Sequence, residues 1–267
     1  MQVNESYVLA TGVVAAERLE LQHEVLKPCS YAQIEKTHLS KGNTVWDIGC
    51  GSGAMTVHFA EIVGPEGRVY ALDISQEQLD VAQRRVKAAG FEHVTFIQGD
   101  ICSLEGVSEE EADMTYMRFV LMHQKNPDCV IQAVKKLLKA GGVAASQEGI
   151  LGETYSNYAH TVLKEYRDTL MALGTYKGCD FNLGNKLTTL YEHAGFKHVE
   201  GYFKEHFLPI SMAKKFIEMS LAEWKDKAIQ AKLITPQHVD IWQKFLNELD
   251  ENAPGFSFPQ AYALAWK

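Results

Sequence analysis

The chain reads as an α/β fold in which buried strands alternate with amphipathic helices, and three observations predict it. Residues 45 to 53, Val-Trp-Asp-Ile-Gly-Cys-Gly-Ser-Gly, run from an apolar strand end straight into three alternating glycines. A helix follows at once, with Ala54, Met55, Val57, His58, Phe59 and Ile62 on one face and Gly64-Pro65 to stop it. The strand–turn–helix pattern then recurs downstream, as a largely parallel sheet requires.

The bulk properties narrow the function. With 267 residues the chain has room for one large α/β domain with insertions. Its net charge is −8 and its Lys and Arg are scattered, so no basic stripe suggests a nucleic-acid partner. Cys29, Cys50, Cys102, Cys129 and Cys179 are odd in number and lack CxxC spacing. Reduced thiols in a cytoplasmic protein are expected, with no disulfide framework and no metal site. The first residues lack a basic n-region, and the apolar patch Val13 to Ala16 is too short for a signal peptide or a membrane span.

Glycine lets a ligand approach the backbone, and the helix N-terminus behind it offers free N–H groups. Gly49, Gly51 and Ala54 also satisfy a dinucleotide fingerprint, so an NAD(P)-dependent oxidoreductase has to be weighed. Asp47 discriminates: a carboxylate there repels a pyrophosphate and attracts an ammonium or sulfonium. The stretch resembles the glycine loop of class I S-adenosylmethionine-dependent methyltransferases. That resemblance implies a Rossmann-like, seven-stranded, mostly parallel sheet with an antiparallel last strand and helices on both faces.

Residues 1 to 40 are expected to form an N-terminal helical lid in two pieces, interrupted at Pro28. Methyltransferases with such a leader use an early tyrosine to reach the cofactor carboxylate, and Tyr7 matches. Residues 68 to 73 form the second strand, and Asp73 lies 20 residues after Gly53, the spacing of a ribose-binding acid. Ser75 with Gln78 is a capping box, and Gly90 ends that helix. Residues 94 to 98 form the third strand. Asp100-Ile101 follows it, where the resembling family binds adenine.

The fourth strand spans 112 to 119 and leads into Val120-Leu121-Met122-His123. No Asn/Asp-Pro-Pro-aromatic run and no strand-tip acid occur here, so base-amine and magnesium-dependent catechol methylation are not expected. The Arg118-to-His123 stretch resembles the small-molecule methyltransferases of quinone and natural-product biosynthesis. Asn126, Pro127 and Asp128 open the next helix as N-cap, N1 and first-turn acid. Val143 to Gln147 is the fifth strand, with Gln147-Glu148 expected to point into the substrate cleft.

Beyond it, Thr154 is expected to cap a helix carrying Tyr155, Tyr158 and Tyr166, and Leu187 to Ala194 to form the last core helix. The sixth strand falls within 196 to 209, and the final strand is 258 to 266. The methyltransferase domain is thus 41–267, with helical substrate caps at about 152–182 and 211–252.

For the site, the resemblance implies S-adenosylmethionine, with S-adenosylhomocysteine as product. The cofactor is held by Asp47, Gly49, Cys50, Gly51 and Gly53, by Asp73 with Ile74 and Gln78, and by Asp100 with Ile101. Arg118, Phe119 and His123 complete the set, together with Tyr7. For proton removal from a small-molecule acceptor the candidates are His123, Glu148 and Tyr155, in that order. A possible homodimer is part of the expectation. The alternatives are a catalytically silent cofactor-binding protein, and hydride transfer with NAD(P).

Overall fold

The computed structural model describes residues 8–9, 13–103, 110–156, 161–250, 252–253 and 255–267. β1 (Thr44–Ile48) lies between β2 (Arg68–Asp73) and β4 (Ala112–Arg118). β3 (Val94–Gln98) pairs outside β2 and β5 (Leu138–Gly149) outside β4, all parallel. β8 (Phe256–Trp266) runs antiparallel between β5 and β7 (His198–Leu208). The order is therefore β3-β2-β1-β4-β5-β8-β7, the expected mixed sheet. Strand order reverses between β1 and β4, which opens a crevice at their C-terminal tips.

Side-chain alternation assigns the two faces. Trp46, Ile48 and Leu72 pack with α4 (Pro127–Leu137) and α6 (Leu187–His193) on one side. Val45, Val69 and Tyr116 pack with α1 (Val13–Glu35) and α2 (Ala54–Val63) on the other. α3 (Gln76–Ala88) begins at Ser75, whose side chain accepts from the Gln78 N–H. α4 begins as its sequence dictates: the Asn126 side chain accepts from the Cys129 N–H, and Pro127 follows it. α5 (Thr161–Lys177), α7 (Ile210–Gln230) and α8 (Pro236–Glu248) build a second apolar core around Tyr166, Leu221, Trp224 and Trp242.

Three expectations are corrected. α1 is one helix, not two, and Pro28 lies inside it. Pro28 and Glu24, four residues before it, are both exposed, so the carbonyl that proline leaves unbonded faces water. No helix begins at Thr154. Tyr155–Ser156 instead form the two-residue strand β6 against Phe256–Ser257, and α5 starts at Thr161. There the open edge of β8 beyond β5 outweighs local helical periodicity.

α4 ends at Leu137, and residues 139–142 bulge out of the β4–β5 register before pairing resumes at Val143, the start expected for this strand. Cys102 and Cys129, expected as thiols, are joined in a disulfide with Cα atoms 5.8 Å apart. Topology brings the turn after β3 onto the first turn of α4, which a spacing of 27 residues gave no sign of. Among the described residues, no helix is long and apolar enough to cross a membrane.

Candidate active site

The glycine loop turns on three left-handed residues, Gly49, Gly51 and Gly53, with φ of 68°, 54° and 76°. Their reasons differ. A Cβ on Gly49 would lie 2.5 Å from Val120 Cγ2, and one on Gly53 2.7 Å from Ala82 Cβ of α3. Both glycines let backbone pack against protein. A Cβ on Gly51 would meet only Leu19 Cδ1, at 3.9 Å, and Gly51 lines the large cavity above the sheet. α2 starts beyond Gly53 with no side chain capping it, so its first N–H groups are open to a ligand.

Asp47 sits beneath this loop on the cavity wall, 3% exposed. Its Oδ2 accepts from Thr56 Oγ1 at 2.6 Å. Burial lifts its pKa to about 6, against the pull of Thr56 and of the nearby Arg118 charge. At neutral pH it is a carboxylate poised to gain from a cation.

Asp73 ends β2 and binds the loop with both oxygens. Oδ2 accepts from Gly51 N–H and Oδ1 from Ser75 N–H, each at 2.9 Å. Burial raises its pKa and these backbone bonds hold the rise back. Each oxygen keeps a second lone pair for a further donor. Gln78, 4% exposed, turns toward the same wall, and its Oε1 has no hydrogen-bond partner among the described residues. At the tip of β3, exposed Asp100 accepts from Cys102 N–H at 2.9 Å, and Ile101 packs into the core. Cys50, Ile74, Asp100 and Ile101 all line the cavity.

At the tip of β4, Arg118 Nη1 donates to Ser30 Oγ at 3.3 Å, and its guanidinium lies 3.4 Å from His23 Nδ1. Burial and the Arg118 charge push His23 down to about 4. Phe119 holds φ of 56°, a strained conformation for an aromatic residue that often marks a functional site. A 3-10 turn, Leu121–His123, follows. His123 lines the cavity with its ring edge-on to Phe181 at 5.3 Å. Burial, then the Arg18 charge, push it down to about 3, so the imidazole is neutral and a weak base.

Gln147 and Glu148 do not reach the cleft as expected; both are fully buried. Strand alternation sends Gln147 toward α1, where it accepts from Ser30 Oγ at 2.8 Å and donates to Tyr262 Oη at 2.9 Å. Glu148 turns the other way, beneath the 3-10 turn. Its carboxyl oxygens accept from the N–H groups of Val120, Leu121 and Met122 at 3.0, 2.8 and 3.2 Å. Burial raises its pKa to about 8, and these three bonds oppose the rise. Glu148 positions the turn that carries His123. Tyr155 lies in β6 opposite Ser257. Tyr7 and Tyr158 fall outside the described residues.

Beyond the strand tips the cavity widens into an apolar chamber under α1, α5 and α7, walled by Val25, Leu170, Phe181, Phe216, Ile217 and Phe256. Sequence reasoning missed its most polar resident. Arg18 is 2% exposed and its Nε donates to Glu223 Oε1 at 2.8 Å. The available signal was spacing: Arg18 falls on the stripe of α1 shared by Ala15, Gln22, Val25 and Leu26. Among the described residues, no group of three His, Cys, Asp or Glu could hold a metal.

Comparison with known proteins bears on this geometry. A family model described as a methyltransferase domain matches residues 39–195, more than half of the chain. Demethylmenaquinone methyltransferase of Anoxybacillus flavithermus (strain DSM 21510 / WK1) is 31% identical over 131 residues, 48% of this chain and 55% of that protein. The chain spans about half the length of the first curated relatives it matches. The BH2331 protein of Bacillus halodurans C-125 superposes with a TM-score of 0.61 at 20% identity, over 89% of this chain and 97% of that one.

Phosphoethanolamine N-methyltransferase 2 of Haemonchus contortus, solved with phosphomonomethylethanolamine and S-adenosylhomocysteine, gives a TM-score of 0.56 at 17% identity. That match covers 92% of this chain and 56% of the other. Both structural likenesses are likenesses of fold. The family match runs from β1 to α6 and includes every strand tip described above; the chain belongs to the methyltransferase-domain family.

Proposed function

We propose that the chain transfers the methyl group of S-adenosylmethionine to a small, largely apolar acceptor. One observation carries this reading. A single cavity of about 1410 Å³ runs from the carboxylates at the tips of β1, β2 and β3 into the apolar chamber. A pocket for one drug-sized ligand occupies roughly 300–1,000 Å³, so there is space for a nucleoside cofactor and an acceptor together.

The residues fit the cofactor. Gly51 leaves space that a Cβ would enter, α2 starts uncapped, and buried Gln78 Oε1 is without a partner among the described residues. Asp73 would take the ribose hydroxyls, Asp100 and Ile101 the adenine, and Asp47, the glycine loop and Arg118 the methionine portion. When bound, the cofactor supplies an electrophilic methyl on a positively charged sulfur. The chain's own residues then align and desolvate. Asp47 supplies negative charge at the loop, Glu148 fixes the turn under Phe119 and His123, and α1 closes the cavity as a lid. Helices in 152–182 and 211–252 cap the acceptor.

Neutral His123 presents an uncharged wall to the reacting groups. The apolar chamber joined to the cofactor end favours turnover over a silent binding role, and the acid at Asp47 disfavours a pyrophosphate. Thermal denaturation tests the cofactor assignment. S-adenosylhomocysteine at about 100 times its Kd should stabilise the fold by about 2.7 kcal/mol, while NAD and NADP leave the melting temperature unchanged. A shift with NAD alone would overturn the reading.

A further inference from the structure

The carboxylates on the cavity wall, Asp47, Asp73, Glu77 and Asp100, all lie at the cofactor end, where Arg118 is the one basic side chain among the described residues. Around the chamber the charged residues are Arg18, Lys164, Arg167 and Lys227. Three of these are committed elsewhere: Lys164 and Arg167 bind Asp168, and Lys227 Nζ donates to the Val8 and Leu9 carbonyls at 2.6 and 3.2 Å.

Arg18 differs. Glu223 balances its charge through Nε, yet Nη2, equally buried, has no hydrogen-bond partner among the described residues. A buried guanidinium nitrogen left in that state is costly, and a ligand oxygen removes the cost. Arg18 stands on the cavity wall, and its charge bears on His123 and Tyr166, two further wall residues.

We propose that Arg18 is the acceptor-recognition residue of the chamber, and that Nη2 binds an anionic oxygen, carboxylate or phenolate, on an otherwise apolar methyl acceptor. The inference rests on the methyl-transfer reading and names its substrate class. It also accounts for the weak base at His123. When the anionic oxygen is itself the nucleophile, its lone pair forms the O–CH3 bond as the S–CH3 bond breaks and S-adenosylhomocysteine leaves, so no proton has to be removed. The uncharged walls, Val25, Leu170, Phe181 and Ile217, take the skeleton.

Calorimetry on the full chain, saturated with S-adenosylhomocysteine, tests this with simple probes. 2-Naphthoate is compared with neutral 2-naphthamide, and 4-nitrophenolate at mildly alkaline pH with 4-nitroanisole. The wild type should prefer at least one anion over its neutral partner by about ten- to hundredfold, and the pair with the wider gap identifies the headgroup.

The double variant Arg18→Met, Glu223→Met removes both charges and leaves neither buried alone. It should abolish the preference and leave affinity for S-adenosylhomocysteine within about twofold, as distant sites add independently. Arg18→Lys, which keeps the charge and shortens the reach, should lower the preference and serves if the double variant does not fold. Anions binding no tighter than their neutral partners, or not at all, overturn the proposal, as does a preference that survives the double variant. Failure of the wild type to bind S-adenosylhomocysteine, a separate titration, would instead overturn the reading beneath it.

Discussion

Gly51 and Gly53 lie two residues apart in one loop and answer to different constraints. Gly53 touches α3 backbone, with a built Cβ 2.9 Å from Ala82 Cα. Gly53→Ala should therefore cost more than about 1 kcal/mol of stability, through overlap and positive φ together. Gly51 has space, so Gly51→Ala should cost only the positive-φ term, roughly 1–2 kcal/mol, while affinity for S-adenosylhomocysteine falls about tenfold or more. Urea denaturation and calorimetry on both variants separate the two effects; equal losses of affinity would contradict the assignment.

Asp47 belongs to the same scale. Its pKa of about 6 means that the carboxylate takes a proton as pH falls through that value. Its attraction for a cationic ligand is present above pH 6 and lost below it. Affinity for S-adenosylmethionine should drop below about pH 6 with a slope approaching tenfold per unit, and Asp47→Asn should flatten the profile. These residues were legible because their chemistry is local: glycines, an acid two positions before them, and acids at strand ends. Arg18 was illegible because its partner Glu223 lies 205 residues away. Without Glu223, a charged residue on a helix stripe reads as a solvated face.

At the scale of elements, β5 and the 3-10 turn behave as one unit because Glu148 gathers three successive backbone N–H groups. Its pKa rises from 4.5 to about 8 on burial. The folded protein holds that proton more tightly than the unfolded chain does. Glu148 therefore favours the fold most at low pH, and its contribution to stability declines as pH rises from about 4.5 to about 8. Glu148→Gln should remove that part of the pH dependence of urea denaturation. It should also cost about 1–3 kcal/mol, because one N–H then meets an amide donor. An unchanged pH slope would show that Glu148 is ionised in the fold.

Sequence patterns read α3 and α4 well, since each carries its own cap. They failed where tertiary partners decide: Pro28 survives inside α1 because the freed carbonyl faces water, and Tyr155–Ser156 join the sheet because β8 extends past β5. The Cys102–Cys129 link is likewise a product of topology.

At the scale of the molecule, two apolar cores meet across one cavity. The sheet with α1, α2, α4 and α6 forms the first, and α5, α7 and α8 the second. The parallel sheet presents its carboxylates at one end of the crevice, as its strand order requires. The helical insertions supply the chamber and most of its charge. α1 bridges the two, bound to α3 through the Arg85–Glu20 pair and to α7 through Arg18–Glu223 and Lys215–Glu17.

A crystal structure of the chain grown with S-adenosylhomocysteine and 2-naphthoate tests this arrangement most directly. The account predicts ribose hydroxyls on Asp73, adenine between Asp100 and Ile101, and the naphthoate carboxylate on Arg18 Nη2 in the same cavity. A nucleoside bound elsewhere, with Asp47, Asp73 and Asp100 free of it, would contradict the account.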